Sequence, residues 1–451
     1  MLSSKNGLYL KQLTPITTLH KRCGFRKSFR EKLDKEKEEH DKTFQEWAET
    51  ENRGFRKQQY MRSWIIEKYG PPASVLKLDA VETPFARKMT SILDARRSYL
   101  YQAVRNTNDV MIKVHAASIN PIDIRMCEGY GANLFNLKRS PIHYAASSVP
   151  GVSKMFDGYE FPIVLGRDFS GTVVDIGTGV FDIKLGDDVY GAPMLHTPGS
   201  FSDYVCVHLD CVVQKPATCS HIEAASIPYV GLTVLSAIKE IVVSQKHPKR
   251  ALVLGGSGGI GTFAIQYLRA HGYTVITTCS TNAVPLCSNL GAECIDYKTK
   301  DVNEELQNVD KFSLVFDAVG VDASDWVSNV LVTNGSYVTL RSPVVENTDK
   351  LGAVVGLSTS VTDFTKKKAA RPDVNIKWAY YKPDRHNLLE IARLVDSGMI
   401  KPVIDSIYSF DDVPKAFEVL SCGGARGKSV INVSGLTEAS VKPDIEKIIH
   451  L

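Results

Sequence analysis

The stretch that most restricts this 451-residue chain is ALVLGGSGGIGTFAIQYLRA, residues 251–270. Ala251–Leu254 is a short apolar run, as a strand buried on both faces requires. It breaks at Gly255 and Gly256, and from Thr262 to Ala270 the pattern turns helical, with Phe263, Ile265 and Leu268 apolar. Strand, glycine turn and helix in direct succession is the setting of a dinucleotide-binding fingerprint, with Gly256, Gly258 and Gly261 at its G-x-G-x-x-G positions. The first glycine would allow a tight turn, the second the approach of a pyrophosphate, and the third close packing of helix on strand. The helix N-terminus adds free N–H groups and a positive dipole end. The alternative is a plain structural turn; the correct strand and helix on either side favour nucleotide binding.

The next strand selects the dinucleotide. Tyr273–Thr278 is β-branched and is followed by Cys279-Ser280-Thr281-Asn282, with no Asp or Glu where an NAD site carries an acid for the ribose 2′-hydroxyl. A carboxylate there would repel a 2′-phosphate, whereas hydroxyls can donate to one. NADPH is therefore expected. Lys298, beside Tyr297 at the end of a third strand (292–297), is the nearest candidate cation.

Charge divides the chain unevenly. Residues 1–30 hold seven Lys or Arg and no acid. Taking those seven from the total of 54 leaves 47 basic against 50 acidic residues, so the rest is slightly acidic despite a formal net charge of +4. No nucleic-acid footprint is indicated. The acid-free leader has the composition of a mitochondrial transit peptide, and residues 31–62 read as a charged helix or linker. No apolar run reaches the length of a membrane span. The nine cysteines contain no C-x-x-C pair, so neither a disulfide framework nor a zinc lobe is expected, and no metal is assigned.

Folding is expected to start at Ser63. Short β segments follow at 110–115, 171–176, 188–191 and 201–207, punctuated by glycine turns, which is the text of a small β-barrel. Irregular insertions are expected at 79–108 and 129–159. The chain then divides into a first barrel part over 63–220, a Rossmann domain over 221–384, a return to the barrel over 385–434 and a tail over 435–451. The cofactor is expected in the cleft between barrel and Rossmann module.

From about Ser63 to Val433 the chain resembles the zinc-free quinone oxidoreductase branch of the medium-chain dehydrogenase/reductase superfamily. The resemblance is carried by HAASINPID (115–123), LGRD (165–168), AASIPY (224–229), GTFAIQ (261–266), IDYK (295–298) and ARGK (425–428). It implies a GroES-like β-barrel catalytic domain with an inserted, doubly wound parallel Rossmann sheet. Zinc alcohol dehydrogenases of the superfamily carry Cys where Asn120 stands and a His-Glu pair where Arg167-Asp168 follows Gly166. Asn and Arg cannot supply a zinc ligand set. Hydride transfer to an acceptor that is already electrophilic, a quinone or an enone, is then expected. By the same resemblance Asn120 faces the nicotinamide end and could polarise the acceptor oxygen; the alternative is a structural Asn in an Asn-Pro turn. Tyr130 and Tyr229 are alternative hydroxyl donors, and water is an equal candidate for the proton. Ser257, Gly259 and Ile260 would meet the pyrophosphate, and Ser280 and Tyr297 the 2′-phosphate. Ala318 and Leu340 would lie beside the ribose and nicotinamide, with Ala379, Tyr381 and Gly424-Ala425-Arg426 closing over the nicotinamide side.

The resemblance, with the leader's composition, implies a mitochondrial NADPH-dependent reductase acting on a small quinone, of ubiquinone or ubiquinone-precursor type, or on an enone. A second reading that the resemblance implies is an NADPH-binding interaction protein with a reticulon-type membrane protein as partner. A third is an enoyl-thioester reductase. Pairing through the Rossmann edge strand near 374–381 would make a homodimer.

Overall fold

The computed structural model describes residues 60–84, 107–141, 144–145, 158–244, 248–320 and 326–435, all within one unit running from Phe55 to Leu451. The expected leader, all but the end of the charged segment, and the tail beyond Gly435 lie outside the described residues. Strand β1 (Tyr60–Ile66) opens three residues before Ser63 and pairs antiparallel with β2 (Lys77–Glu82). The sequence KLDAVE carries too many charges to read as a strand; as an edge strand it leaves those charges in water.

The barrel is organised on β3 (Asp109–Ile119), whose residues other than Lys113 and His115 are buried. β4 (Ile163–Val164) pairs with β1, while β5 (Phe169–Ile176) runs antiparallel along β3. β6 (Asp188–Gly191), β7 (Tyr204–His208) and β8 (Val212–Gln214) continue the sheet. β7 takes only the first half of one β3 edge, Asp109 to Lys113. The second half is left for a strand that arrives from the far end of the chain. Two helices follow β3 and form the lip of the barrel: α1 (Pro121–Cys127) and α2 (Ala132–Arg139), the latter inside the segment expected to be an irregular insertion.

α3 (His221–Ala225) is capped by Ser220, whose hydroxyl accepts from the Glu223 amide, and packs Ile222 and Ala225 against Ala116 and Val430 of the barrel. The nucleotide module therefore begins with α4 (Pro228–Val243), a few residues after His221. Its sheet runs β11-β10-β9-β12-β13-β14, all parallel: β9 (Arg250–Leu254), β10 (Thr274–Cys279), β11 (Ala292–Asp296), β12 (Phe312–Asp317), β13 (Leu331–Thr339) and β14 (Val374–Trp378). The chain leaves β9 toward one edge and returns through β12 toward the other, so the switch point lies between them. In open sheets of this kind the ligand's crevice is expected there, beyond the strands' carboxyl ends. α5 (Gly259–Ala270) follows β9, and α6 (Val284–Asn289) joins β10 to β11. The hairpin α7 (Pro343–Leu351) and α8 (Ala353–Ala370) joins β13 to β14.

α9 (Arg385–Asp396) buries Leu388, Ile391 and Val395 in the same core as Val253, Phe263 and Leu268. A side chain at Gly231 would come within 2.7 Å of Ile391 Cδ1, so this glycine lets α4 and α9 meet closely. The stretch expected to return to the barrel at residue 385 thus stays with the Rossmann sheet until β15 (Ile404–Ser409). An amphipathic helix announces a buried face and leaves its partner unnamed. β16 (Lys428–Asn432) then fills the free half-edge of β3, with Ser429 opposite Ile119.

Candidate cofactor and substrate cleft

The glycine turn is sewn to its neighbours by backbone. Gly256 donates to Thr278 O at 3.0 Å and Gly255 to Thr278 Oγ1 at 3.1 Å. The left-handed residue is Gly255, with φ of +80°, rather than Gly256 at the first fingerprint position. Gly256 is required for a different reason: a Cβ there would lie 2.1 Å from Thr277 Oγ1. A Cβ on Gly261 would lie 2.1 Å from Gly255 O, so helix and strand pack as the third position predicts. Gly258 differs. A Cβ there would meet nothing closer than an ordinary 3.9 Å contact with Gly255 O, so no clash within the protein demands glycine at this point of the α5 N-terminus, where a pyrophosphate would be received. Gln266 fixes the helix by a two-way amide bond to Lys401, at 3.0 and 2.8 Å.

Four strand ends follow in a row along the carboxyl edge. Ala318 donates to Leu254 O at 3.1 Å, Leu340 to Asp317 O at 3.1 Å and Ala379 to Thr339 O at 2.8 Å. Ala318, Leu340 and Ala379 are thereby aligned beside the glycine turn, with Leu340 half-buried and Ala379 buried in the core. On the other side of the switch point, Tyr297 donates its amide to Cys279 O at 3.2 Å, which sets Ser280 and Tyr297 on adjacent strand ends. Lys298 Nζ lies 5.4 Å from the Tyr297 ring centre. Ser257 and Ile260 are half-buried in the turn. The barrel reaches this turn directly: Gly427 donates to Ser257 O at 2.9 Å and bridges Gly258. Gly424, Ala425 and Arg426 therefore flank the loop, Arg426 exposed and its amide held by Asp405 at 3.1 Å.

Asn120 is 1 % exposed and caps α1, its amide accepted by Asp123 Oδ2 at 2.9 Å. Its carboxamide belongs to a buried polar cluster. Nδ2 donates to Asp168 Oδ2 at 2.8 Å, and Oδ1 accepts from Lys428 Nζ. Lys428 also donates to Ile119 O at 3.0 Å and to Asp168 Oδ2 at 3.3 Å. Asp168 further accepts from Ser118 Oγ at 2.6 Å and from the Tyr229 amide at 2.6 Å. Burial acts against both charges, raising Asp168 and lowering Lys428. Four donors on the carboxylate and three acceptors on the ammonium hold the ionised pair. The Lys428 stem lies over the glycine turn, since a Cβ on Gly259 would meet its Cδ at 2.7 Å. Nothing in ARGK marked this lysine beforehand. The available signal was a lysine opening the apolar strand KSVIN.

Tyr229, the second residue of α4, stacks on Tyr381 with ring centres 4.6 Å apart and an 18° interplanar angle. The Tyr381 hydroxyl donates to Ala192 O and Pro193 O at 2.8 and 3.0 Å, tying the Rossmann module to the barrel. Both phenols are pushed up by burial. Tyr130 sits further out, under the Arg125 guanidinium at 4.5 Å. Beside it the α7 carboxylate of Asp349 accepts from the Gly131 and Asn133 amides at 2.7 and 3.2 Å, so the hairpin closes this end of the cleft.

A GroES-like barrel whose last strand locks onto the glycine turn of a parallel nucleotide-binding sheet defines the medium-chain dehydrogenase/reductase class. Residues 106–217 match the family model described as alcohol dehydrogenase GroES-like domain, and 290–431 that described as zinc-binding dehydrogenase. The chain is 40 % identical over 381 residues to the NAD(P)H oxidoreductase RTN4IP1, mitochondrial, of Mus musculus, covering 83 % of this chain and 89 % of that relative. It is 39 % identical to the Homo sapiens protein of the same name over the same shares. The quinone oxidoreductase of Coxiella burnetii superposes with a TM-score of 0.63 at 27 % identity, over 83 % of this chain and 99 % of that one. The chain belongs to the mitochondrial RTN4IP1 family of NAD(P)H oxidoreductases within this superfamily. It is a mitochondrial oxidoreductase with a nicotinamide cofactor. Among the described residues no helix is long and apolar enough to cross a membrane.

Proposed function

We propose that this protein is an NADPH-dependent reductase that delivers a hydride to a quinone of ubiquinone or ubiquinone-precursor type, or to a reactive enone, without catalytic zinc. The observation that carries the reading is the Lys428–Asp168–Asn120 cluster. Asn120 and Asp168 stand, by the family pattern, at positions of the zinc-site cysteine and glutamate, and both are engaged by an ammonium. Arg167, at the histidine position, gives its guanidinium to Met194 O and Thr197 O at 2.9 and 2.8 Å. Such a set offers neither thiolate nor imidazole, and a divalent ion would face the fixed charge of Lys428.

All three ammonium protons have acceptors within the protein, so Lys428 is a positioning residue. Asn120 acts likewise, its carboxamide committed to Lys428 and Asp168. The acceptor oxygen then falls to Tyr229, whose hydroxyl has no partner among the described residues and whose raised pKa keeps its proton in place. Asp168 fixes the Tyr229 backbone, and Tyr381 fixes the ring. Bound here, NADPH would supply the hydride; Gly258 and the N-terminus of α5 would hold its pyrophosphate, and Ser280, Tyr297 and Lys298 would favour the 2′-phosphate. The outer edge of β14, which among the described residues pairs only with β13, supports a homodimer.

The test is NADPH oxidation by the purified protein with a short-chain ubiquinone analogue and a simple enone in parallel. Saturable turnover is expected, abolished in Gly258→Asp. In Tyr229→Phe, kcat should drop roughly 10²-fold with NADPH affinity retained, as for loss of a donor to a developing oxyanion. Tight NADPH binding with no turnover on either acceptor would refute the reductase and favour the interaction-protein reading. Ser280→Asp should move the preference toward NADH by roughly tenfold, about 1.4 kcal/mol.

A further inference from the structure

The cleft leaves unused a cluster of thiols beneath its adenosine end. Cys279 ends β10, Cys294 lies in β11, and Cys287 lies in α6 between them. Their sulfurs all fall within 4.8 Å of one another, with Cys279 and Cys287 buried and Cys294 half-buried. The sequence spacing matches no metal motif; the β–α–β turn collects the three.

The strand register opposes a direct disulfide between the two strands. Cys294 lies opposite Thr277 and Cys279 opposite Asp296. The two cysteines are thus diagonal neighbours with Cα atoms about 7–8 Å apart, beyond the roughly 7 Å that a disulfide spans without backbone movement. A metal ion bridges further, since two bonds of about 2.3 Å to one tetrahedral centre hold their sulfurs nearly 4 Å apart.

We propose that Cys279, Cys287 and Cys294 bind one thiophilic divalent cation of the zinc type. Three S–H bonds break, three metal–sulfur bonds form and the protons pass to solvent, with no change of oxidation state. A divalent ion leaves one net negative charge, whereas a monovalent ion would leave two beside the Asp296 carboxylate. Ser288 Oγ, 3.5 Å from Cys294 Sγ, lies next to the fourth position. The ion would tie α6 to the ends of β10 and β11, from which Ser280 and Tyr297 project. Its effect on cofactor affinity rests on the function proposed above; the ion site itself does not.

The experiment titrates the reduced, metal-stripped full-length protein with Cd(II) alone and follows the ultraviolet thiolate-to-cadmium band. One equivalent should saturate it. Cys279→Ser, Cys287→Ser and Cys294→Ser should each weaken binding at least roughly tenfold, while Cys422→Ser, at an exposed cysteine, leaves it unchanged. Retained NADPH binding certifies each fold. Should a variant not fold, one equivalent of Cd(II) must protect residues 279, 287 and 294 of the wild-type protein from alkylation, as mapped by peptide mass. Absence of the band, its persistence in the three serine variants, or failure of that protection overturns the proposal. A disulfide among the three with no band from the reduced protein overturns it in favour of a redox pair. NADPH affinity with and without Cd(II) reads the coupling separately.

Discussion

The glycine turn and the Lys428 cluster touch through the Gly258–Gly427 bridge, yet they are built in opposite ways. The turn is one contiguous stretch whose fit is steric: two of its glycines are pressed against backbone or threonine, and Gly258 alone would accept a Cβ without a clash. The cluster is electrostatic and assembled from afar, with Asn120 48 residues from Asp168 and 308 from Lys428. One region exists to admit a ligand, and its substitutions should be felt in binding. The other balances buried charges, and its substitutions should be felt in folding.

The largest test of that contrast is Lys428→Met. It strands the Asp168 carboxylate in the core and should cost about 3–5 kcal/mol in urea unfolding. The companion change Asp168→Leu should return much of this, because removing both charges avoids the stranded one. Gly258→Ala should leave the urea midpoint nearly unmoved while weakening NADPH, since its Cβ meets nothing closer than 3.9 Å. A Lys428→Met protein as stable as wild type would collapse the distinction.

This contrast also governs what could be read without coordinates. The glycine loop and the strands that end at Ser280 and Tyr297 follow from local apolar runs and turn residues. Asp168 and Lys428 sit in short motifs visible in the sequence, but their pairing depends on β16 filling half an edge of β3, a fact of topology. The Tyr229–Tyr381 stack has the same origin, as does the Cys279–Cys287–Cys294 cluster. The attachment of α3 to the barrel and of α9 to the Rossmann sheet was hidden because each helix buries an apolar face that several neighbours could cover.

Acid should separate the regions next. Burial holds His115 of β3 at a pKa of about 4, with the nearby His221 imidazole and Lys113 pushing the same way. His196 of the barrel is likewise held at about 4. Below pH 6.5 the unfolded chain takes up protons that the fold refuses, so stability falls between about 6.5 and 4. Asp123 runs the other way: raised to about 6, it contributes stability below its ordinary 3.8 that is lost as pH rises through 6. Two histidines outweigh it, and the net loss on acidification should be about 1–2 kcal/mol after discounting partial exposure. Hydrogen exchange at pH 7 and pH 5 should show β3 and β5 losing protection before β9 and β10. Uniform loss across both sheets would contradict the assignment to the barrel, and His115→Gln should flatten the profile.

The smallest effect belongs to the rim of the glycine region. Lys298 is exposed, its ammonium above the Tyr297 ring and its amide held by Asp296 Oδ1 at 3.0 Å. A cation in water contributes little, about 0.2–1 kcal/mol, so Lys298→Ala should weaken NADPH by only a few-fold and leave NADH unchanged. The difference should shrink as salt is raised, because the 2′-phosphate contact would be screened over roughly 10 Å at 0.1 M. Unfolding should not register the substitution at all. Equal weakening of NADH would mean that Lys298 orders the strand ends rather than reading the phosphate, and would leave Ser280 and Tyr297 as the residues that distinguish the two cofactors.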